Sequence, residues 1–192
     1  MVIIYNEAIR IGKQRGDPGY LTSRKLYLSY PTNVFVGEEN IEFEIINEIA
    51  RHFNLPFPSI QVVGSAKTGF SYVKKRDFIQ GESDLDIAVI NMRLFRLCLD
   101  YAYQQTNGYT DLRSYQRTTD LEVFRQNLLF GFINPFTLPR GDFREDWIDF
   151  FNTLSTQYID QFKKISGGIY ATQYLFEMKQ YRAIEHYLEE VD

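Results

Sequence analysis

Ile60-Gln61-Val62-Val63-Gly64-Ser65-Ala66-Lys67-Thr68-Gly69 is an apolar run that ends in Gly-Ser. After a polar excursion the chain returns as Ser83-Asp84-Leu85-Asp86-Ile87-Ala88-Val89-Ile90, a second apolar run opened by two acids one residue apart. On a strand, residues i and i+2 project to the same face, so Asp84 and Asp86 are expected to point together while Leu85 and Ile87 face a core. Two neighbouring carboxylates suit a hard cation. Mg²⁺ takes one or two protein carboxylates and completes its shell with water and substrate phosphates, so the pair implies a phosphate-bearing partner. With Ile60 to Val63 as a strand and a helix beginning at Ala66, Gly64 permits a tight turn, and the amides of Ser65 to Lys67 lie at a helix N-terminus where phosphate docks. Gly64, Ser65 and Lys67, with Ser83 at the start of the second run, are candidate phosphate-binding residues, and Asp84 and Asp86 the candidate metal-holding pair. Taken singly, acids open many strands because that end is solvated, and Gly-Ser is a common turn. The order of the two elements between two apolar runs carries the reading.

This pattern resembles the nucleotidyltransferase superfamily typified by DNA polymerase β: a hydrophobic strand, Gly-Ser, a variable insert, then Asp-x-Asp on the next strand. The resemblance covers Ile60 to Ile90. It implies that Gly64 and Ser65 bind the triphosphate of a nucleotide and that Asp84 and Asp86 hold the metals, Mg²⁺ or Mn²⁺, which promote attack on the α-phosphate. Two features depart from the pattern. The insert Ala66 to Ser83 is long and carries Lys67, Lys74, Lys75 and Arg76, as a substrate-facing loop or as a decorated surface loop. The third carboxylate that the family places on a later strand is missing from the best candidate, Lys164 to Thr172, which leaves Asp120, Glu122 and Glu177 as substitutes. The resemblance to small bacterial nucleotidyltransferases points to toxin–antitoxin or antiphage settings.

At 192 residues, with 44% hydrophobic and 16% aromatic residues, the chain is expected to form a single domain with a dense core spanning about 33–172 and a C-terminal helix over 173–192. A net charge of −4 gives no global attraction to a nucleic-acid backbone. The lone Cys98 excludes an internal disulfide framework and, in an apolar helical pattern, reads as an inert core thiol. His52 and His186 are far apart without Cys or His neighbours, which argues against zinc. No basic leader and no run of about 18 apolar residues is present, so the expectation is a cytoplasmic protein without membrane association.

Along the chain, Gly12, Gly16-Asp17-Pro18-Gly19 and Pro31 interrupt periodicity, so Met1 to Thr32 is expected to be an ordered arm or loop, its basic Arg10, Lys13, Arg15, Arg24 and Lys25 solvated. Ile41, Ile45, Ile46, Ile49, Ala50 and Phe53 follow helical spacing, and Leu55-Pro56-Phe57-Pro58 stops that helix before the Ile60 strand. Asn91 is placed to cap a helix through Leu94, Phe95, Cys98, Leu99 and Ala102, ending near Asn107-Gly108. Asp111 to Ile133 is expected to be mostly helical, with Arg113, Arg117 and Arg125 near one face, and Phe136 to Arg144 a loop. Asp146 to Phe162 is expected to be an amphipathic helix with Trp147, Phe150, Phe151, Leu154, Tyr158 and Phe162 in one stripe. A strand over Ile165 to Thr172 and a terminal helix using Leu175, Met178, Tyr181, Ile184, Leu188 and Val191 complete the chain.

The expected fold is α/β in the α+β sense: a small mixed sheet covered by helices, with Ile60 to Val63 and Asp84 to Ile90 as neighbouring central strands. The expected function is Mg²⁺-dependent transfer of NMP from a nucleoside triphosphate to a protein hydroxyl, a small molecule or RNA, with Lys67 near the leaving pyrophosphate. The alternative from another class is a catalytically degenerate module of the same fold that binds nucleotides or proteins. A sugar-nucleotide-dependent Asp-x-Asp glycosyltransferase requires a larger nucleotide-binding domain than this length allows.

Overall fold

The computed structural model describes residues 2–191, with side chains described over 4–185; the expectations for His186, Leu188 and Val191 lie outside the described side chains. The N-terminal segment is helical rather than an arm: α1 (Val2–Arg15) and α2 (Gly19–Ser23), the latter running on into a π-helical turn over Arg24–Ser29. Tyr5, Ala8 and Ile9 are buried at helical spacing, and that tertiary burial outweighs the cost of Gly12 inside α1. α3 (Glu39–His52) follows and buries Ile45, Ile46, Ile49 and Ala50 as its spacing predicts. Pro56 and Pro58 hold the chain in a 3₁₀ turn before β1 (Ile60–Val63).

The long insert is compact. α4 (Gly64–Thr68) starts two residues earlier than expected, and β2 (Phe70–Ser71) and β3 (Arg76–Asp77) pair as a small separate hairpin. β4 (Leu85–Ile90) is followed by α5 (Met92–Gln105), capped as expected by the Asn91 side chain, which accepts from the Leu94 amide. α6 covers only Thr118–Leu128, and β5 is Phe132–Ile133. The expected arginine stripe does not form: Arg113 precedes the helix and pairs with Asp111, and Arg117 occupies the N-cap position. α7 (Asp142–Gln157) starts four residues before the expected Asp146, its first turn carrying a single apolar residue, Phe143, among Asp142, Arg144 and Glu145; Tyr158 and Phe162 lie beyond its end. β6 (Ile165–Tyr170) and α8 (Gln173–Val191) end the chain.

The four-stranded sheet has the order β1-β4-β6-β5, with β4 and β6 parallel and the outer pairs antiparallel. The mixed sheet and the α+β class agree with the sequence reading. β4 is internal, but β1 is an edge strand rather than a central one. One sheet face, with Leu85, Ile87, Val89, Ile165 and Ile169, packs with buried residues of α3, α5 and α7 around Trp147 and Phe151. The other face, with Val63, Ala88 and Tyr170, packs with Tyr5, Ala8 and Ile9 of α1, Leu26 and Tyr27 of the π turn, and Phe176 and Ile184 of α8. The sheet is thus the middle of three layers. Cys98 lies wholly in the first core, where burial pushes its thiol pKa up, in keeping with an inert role. No helix among the described residues is long and apolar enough to cross a membrane.

Candidate active site

Asp86 sits near the start of β4 between two partners in register, Val63 on β1 and Ser166 on β6. Immediately after Val63 the chain turns at Gly64 with φ +67°, and a Cβ built there would come within 2.8 Å of Asp86 Oδ2. Glycine is therefore required twice, by backbone conformation and by space, and the Gly-Ser corner lies directly against the second acid of the Asp-x-Asp pair. On the other side, Ser166 Oγ donates to Asp86 Oδ1 at 3.3 Å.

Although Asp86 as a residue is exposed, the groups packed around its carboxyl desolvate it, and this is the main cause of a raised pKa. The charge of Asp84 adds to the rise, while the Ser166 hydrogen bond and the charges of Lys74 and Lys164 oppose it. Asp84, one residue ahead of β4 and half-buried, thus stands near enough for its charge to act on Asp86.

The carboxyl opens onto a cleft of about 450 Å³ whose walls include Gly64, Phe136, Lys164, Ser166 and Lys179. Lys164 Nζ rests 4.3 Å from the centre of the Phe136 ring and Lys179 Nζ 4.6 Å from that of Phe132. Burial lowers the Lys179 pKa, and Asp86 counters that. At the back of the cleft, Gln180 Nε2 donates to Tyr170 Oη at 3.0 Å, and burial pushes the Tyr170 phenol up.

Other residues singled out in the sequence lie elsewhere. Lys67 is only 4% exposed and its Nζ donates to the Tyr30 carbonyl at 2.7 Å, in a separate hollow with Glu42. Desolvation there pulls its pKa down to about 8. The first turn of α4 directs this side chain away from the acids, which spacing alone does not reveal. Ser83 is buried and structural: its Oγ accepts from the Ile79 amide and its carbonyl from that of Lys163. Ser65 is half-buried on the corner and does not line the cleft; its carbonyl accepts from Gly69 N at 2.7 Å.

None of the proposed third acids contributes to the Asp86 environment. Asp120 accepts from the Arg117 amide at the start of α6, and Glu122 is exposed on that helix. Glu177, fully buried, is held by both Arg24 nitrogens at 2.7 and 3.0 Å and by Gln173. Among the described residues no group of three or more His, Cys, Asp or Glu is placed to hold a metal ion. Two crowded carboxylates, one with a raised pKa, fit a single hard cation that fills its shell with water and phosphate oxygens; they do not supply the extra anionic donors for two.

Lys164, Ser166 and Lys179 were missed as site residues. Lys164 and Ser166 alternate on the strand that was quoted for lacking an acid, so their shared face was readable once its pairing with β4 was known. Lys179, on α8, carries no sequence signal. No family model, no curated protein and no solved structure matches this chain.

Proposed function

We propose that the chain is a nucleotidyltransferase of the polymerase β type, transferring NMP from a nucleoside triphosphate to a hydroxyl acceptor in the cytoplasm. The observation that carries this reading is the contact between the Gly64 corner and the Asp86 carboxyl at the mouth of a cleft carrying lysines. In the reaction, the acceptor oxygen bonds to the α-phosphorus, the bond to the bridging oxygen of pyrophosphate breaks, and the hydroxyl proton is released. Asp84 and Asp86 would hold Mg²⁺ or Mn²⁺, which supplies Lewis-acid stabilisation of the charge developing on the phosphoryl group. Gly64, which lines the cleft, lets the phosphates approach the backbone of the corner closely. Lys164, Lys179 and Lys74 take the charge-neutralising part that spacing assigned to Lys67. A protein hydroxyl, a small molecule and RNA remain the acceptor classes.

A second reading, a degenerate module that binds nucleotide without turnover, is favoured by one observation: the residue paired with Asp86 on β6 is Ser166, a neutral hydroxyl, and no acid other than Asp84 acts on Asp86. The experiment is incubation with each α-labelled NTP and Mg²⁺ or Mn²⁺, with and without cell lysate. Label transfer with pyrophosphate release, lost in Asp84→Ala/Asp86→Ala, is the result expected. Nucleotide binding without release supports the second reading, and no binding defeats both.

A further inference from the structure

Asp86 and Ser166 face one another across the parallel pairing of β4 and β6, so the residue paired with Asp86 offers a neutral hydroxyl and no further carboxylate to share a second cation. Ser166 satisfies one oxygen of Asp86 without adding negative charge. Positive charge is instead built into the cleft wall, with Lys164 seated on Phe136 and Lys179 on Phe132. Ring faces attract ammonium groups without neutralising them. Among the described residues no carboxylate makes a salt bridge to either lysine, so both charges remain available to an anion. Burial disfavours the Lys179 ammonium, so an arriving anion improves its environment.

We propose that the cleft takes one divalent cation rather than two, and that Lys164 and Lys179 contact the polyphosphate directly, supplying the positive charge a second cation would bring. The inference rests on the nucleotidyl-transfer reading but concerns how the polyphosphate is held, which is measurable without turnover. Mn²⁺ titration followed by electron paramagnetic resonance, on the full chain with a non-hydrolysable NTP analogue, is expected to give one bound ion per chain, and two in Ser166→Asp. Calorimetry with inorganic tripolyphosphate in EDTA is expected to show at least a tenfold loss of affinity in Lys164→Met and in Lys179→Met. Asp86→Asn, which removes a like charge, is expected to bind more tightly. Methionine keeps the apolar stem, and thermal melts establish that each variant is folded. Two ions on the native chain, one on Ser166→Asp, no tripolyphosphate binding, or affinities within twofold of native in both lysine variants would overturn the proposal. Should the expected stoichiometry and affinities appear without any NMP transfer, the transfer reading fails and the charge arrangement stands.

Discussion

The two faces of β4 are made of alternate residues of one short strand, yet they are built for opposite ends. Leu85, Ile87 and Val89 enter a core around Trp147 and Phe151, where burial gains stability. Asp86, on the other face, has a carboxyl desolvated by its neighbours and opposed by Asp84, a position where ionisation costs stability. A fold that places a raised-pKa acid beside a second acid, with glycine as the only residue able to stand against it, gives up stability at that spot. Such a sacrifice supports the site proposed above.

The largest effect belongs to the core face. Phe151→Ala is expected to cost about 3–5 kcal/mol in chemical denaturation, from lost burial and the cavity left against β6. NMP transfer per folded molecule should stay at the native level. A loss of transfer in folded protein would break the separation of the two faces.

Asp86→Asn tests the other face and should do the reverse. Transfer is expected to fall by about a hundredfold or more, since removing one preorganised electrostatic group costs that much. The sign of its stability effect follows from the raised pKa. The folded chain disfavours the ionised form, so the penalty is absent below the ordinary carboxylate range and grows as pH rises through the folded-state value. Asp86→Asn should therefore melt higher than the native chain at pH 7, with the gain vanishing in acid. A lower melting temperature at pH 7 would mean that Asp86 stabilises the fold.

Gly64→Ala sharpens the junction between the two elements. Positive φ and the 2.8 Å approach to Asp86 Oδ2 should together cost about 1–3 kcal/mol in thermal or denaturant unfolding. Transfer should fall as well, because the carboxylate must move. Retention of native transfer would separate the corner from the acid.

The smallest effect concerns Lys67, which lies off both comparisons. Its folded-state pKa is drawn down to about 8 from an ordinary value of 10.5, so the charged form is penalised in the folded chain below that range. The penalty disappears as pH rises from about 8 to 10.5, so the native chain should gain stability relative to Lys67→Met across that window. A constant difference between the two melting curves would show that Lys67 titrates normally.

Apolar runs were enough to read β1, β4 and β6, which are buried on consecutive positions, and helical spacing was enough for α3 and α5, with Asn91, Pro56 and Pro58 marking ends. It failed for α1, where the buried stripe Tyr5, Ala8, Ile9 and Gly12 includes the glycine that reads as a break, and for Arg113, which lies outside any helix. The same limit applied at the site. Order and spacing single out Gly64 and Asp86, which the fold brings into contact, whereas Lys67 satisfies the spacing and points elsewhere.

The amino-acid sequence alone determined the two strands and the turn between β1 and α4, since these are consequences of backbone geometry over a few residues. Only the tertiary structure decided that β4 pairs in parallel with β6, which puts Ser166 opposite Asp86, and that α8 folds back so that Lys179 reaches the cleft. The physical reason is sequence distance: 80 residues separate Asp86 from Ser166, and no local preference can specify which remote strand or helix closes a sheet.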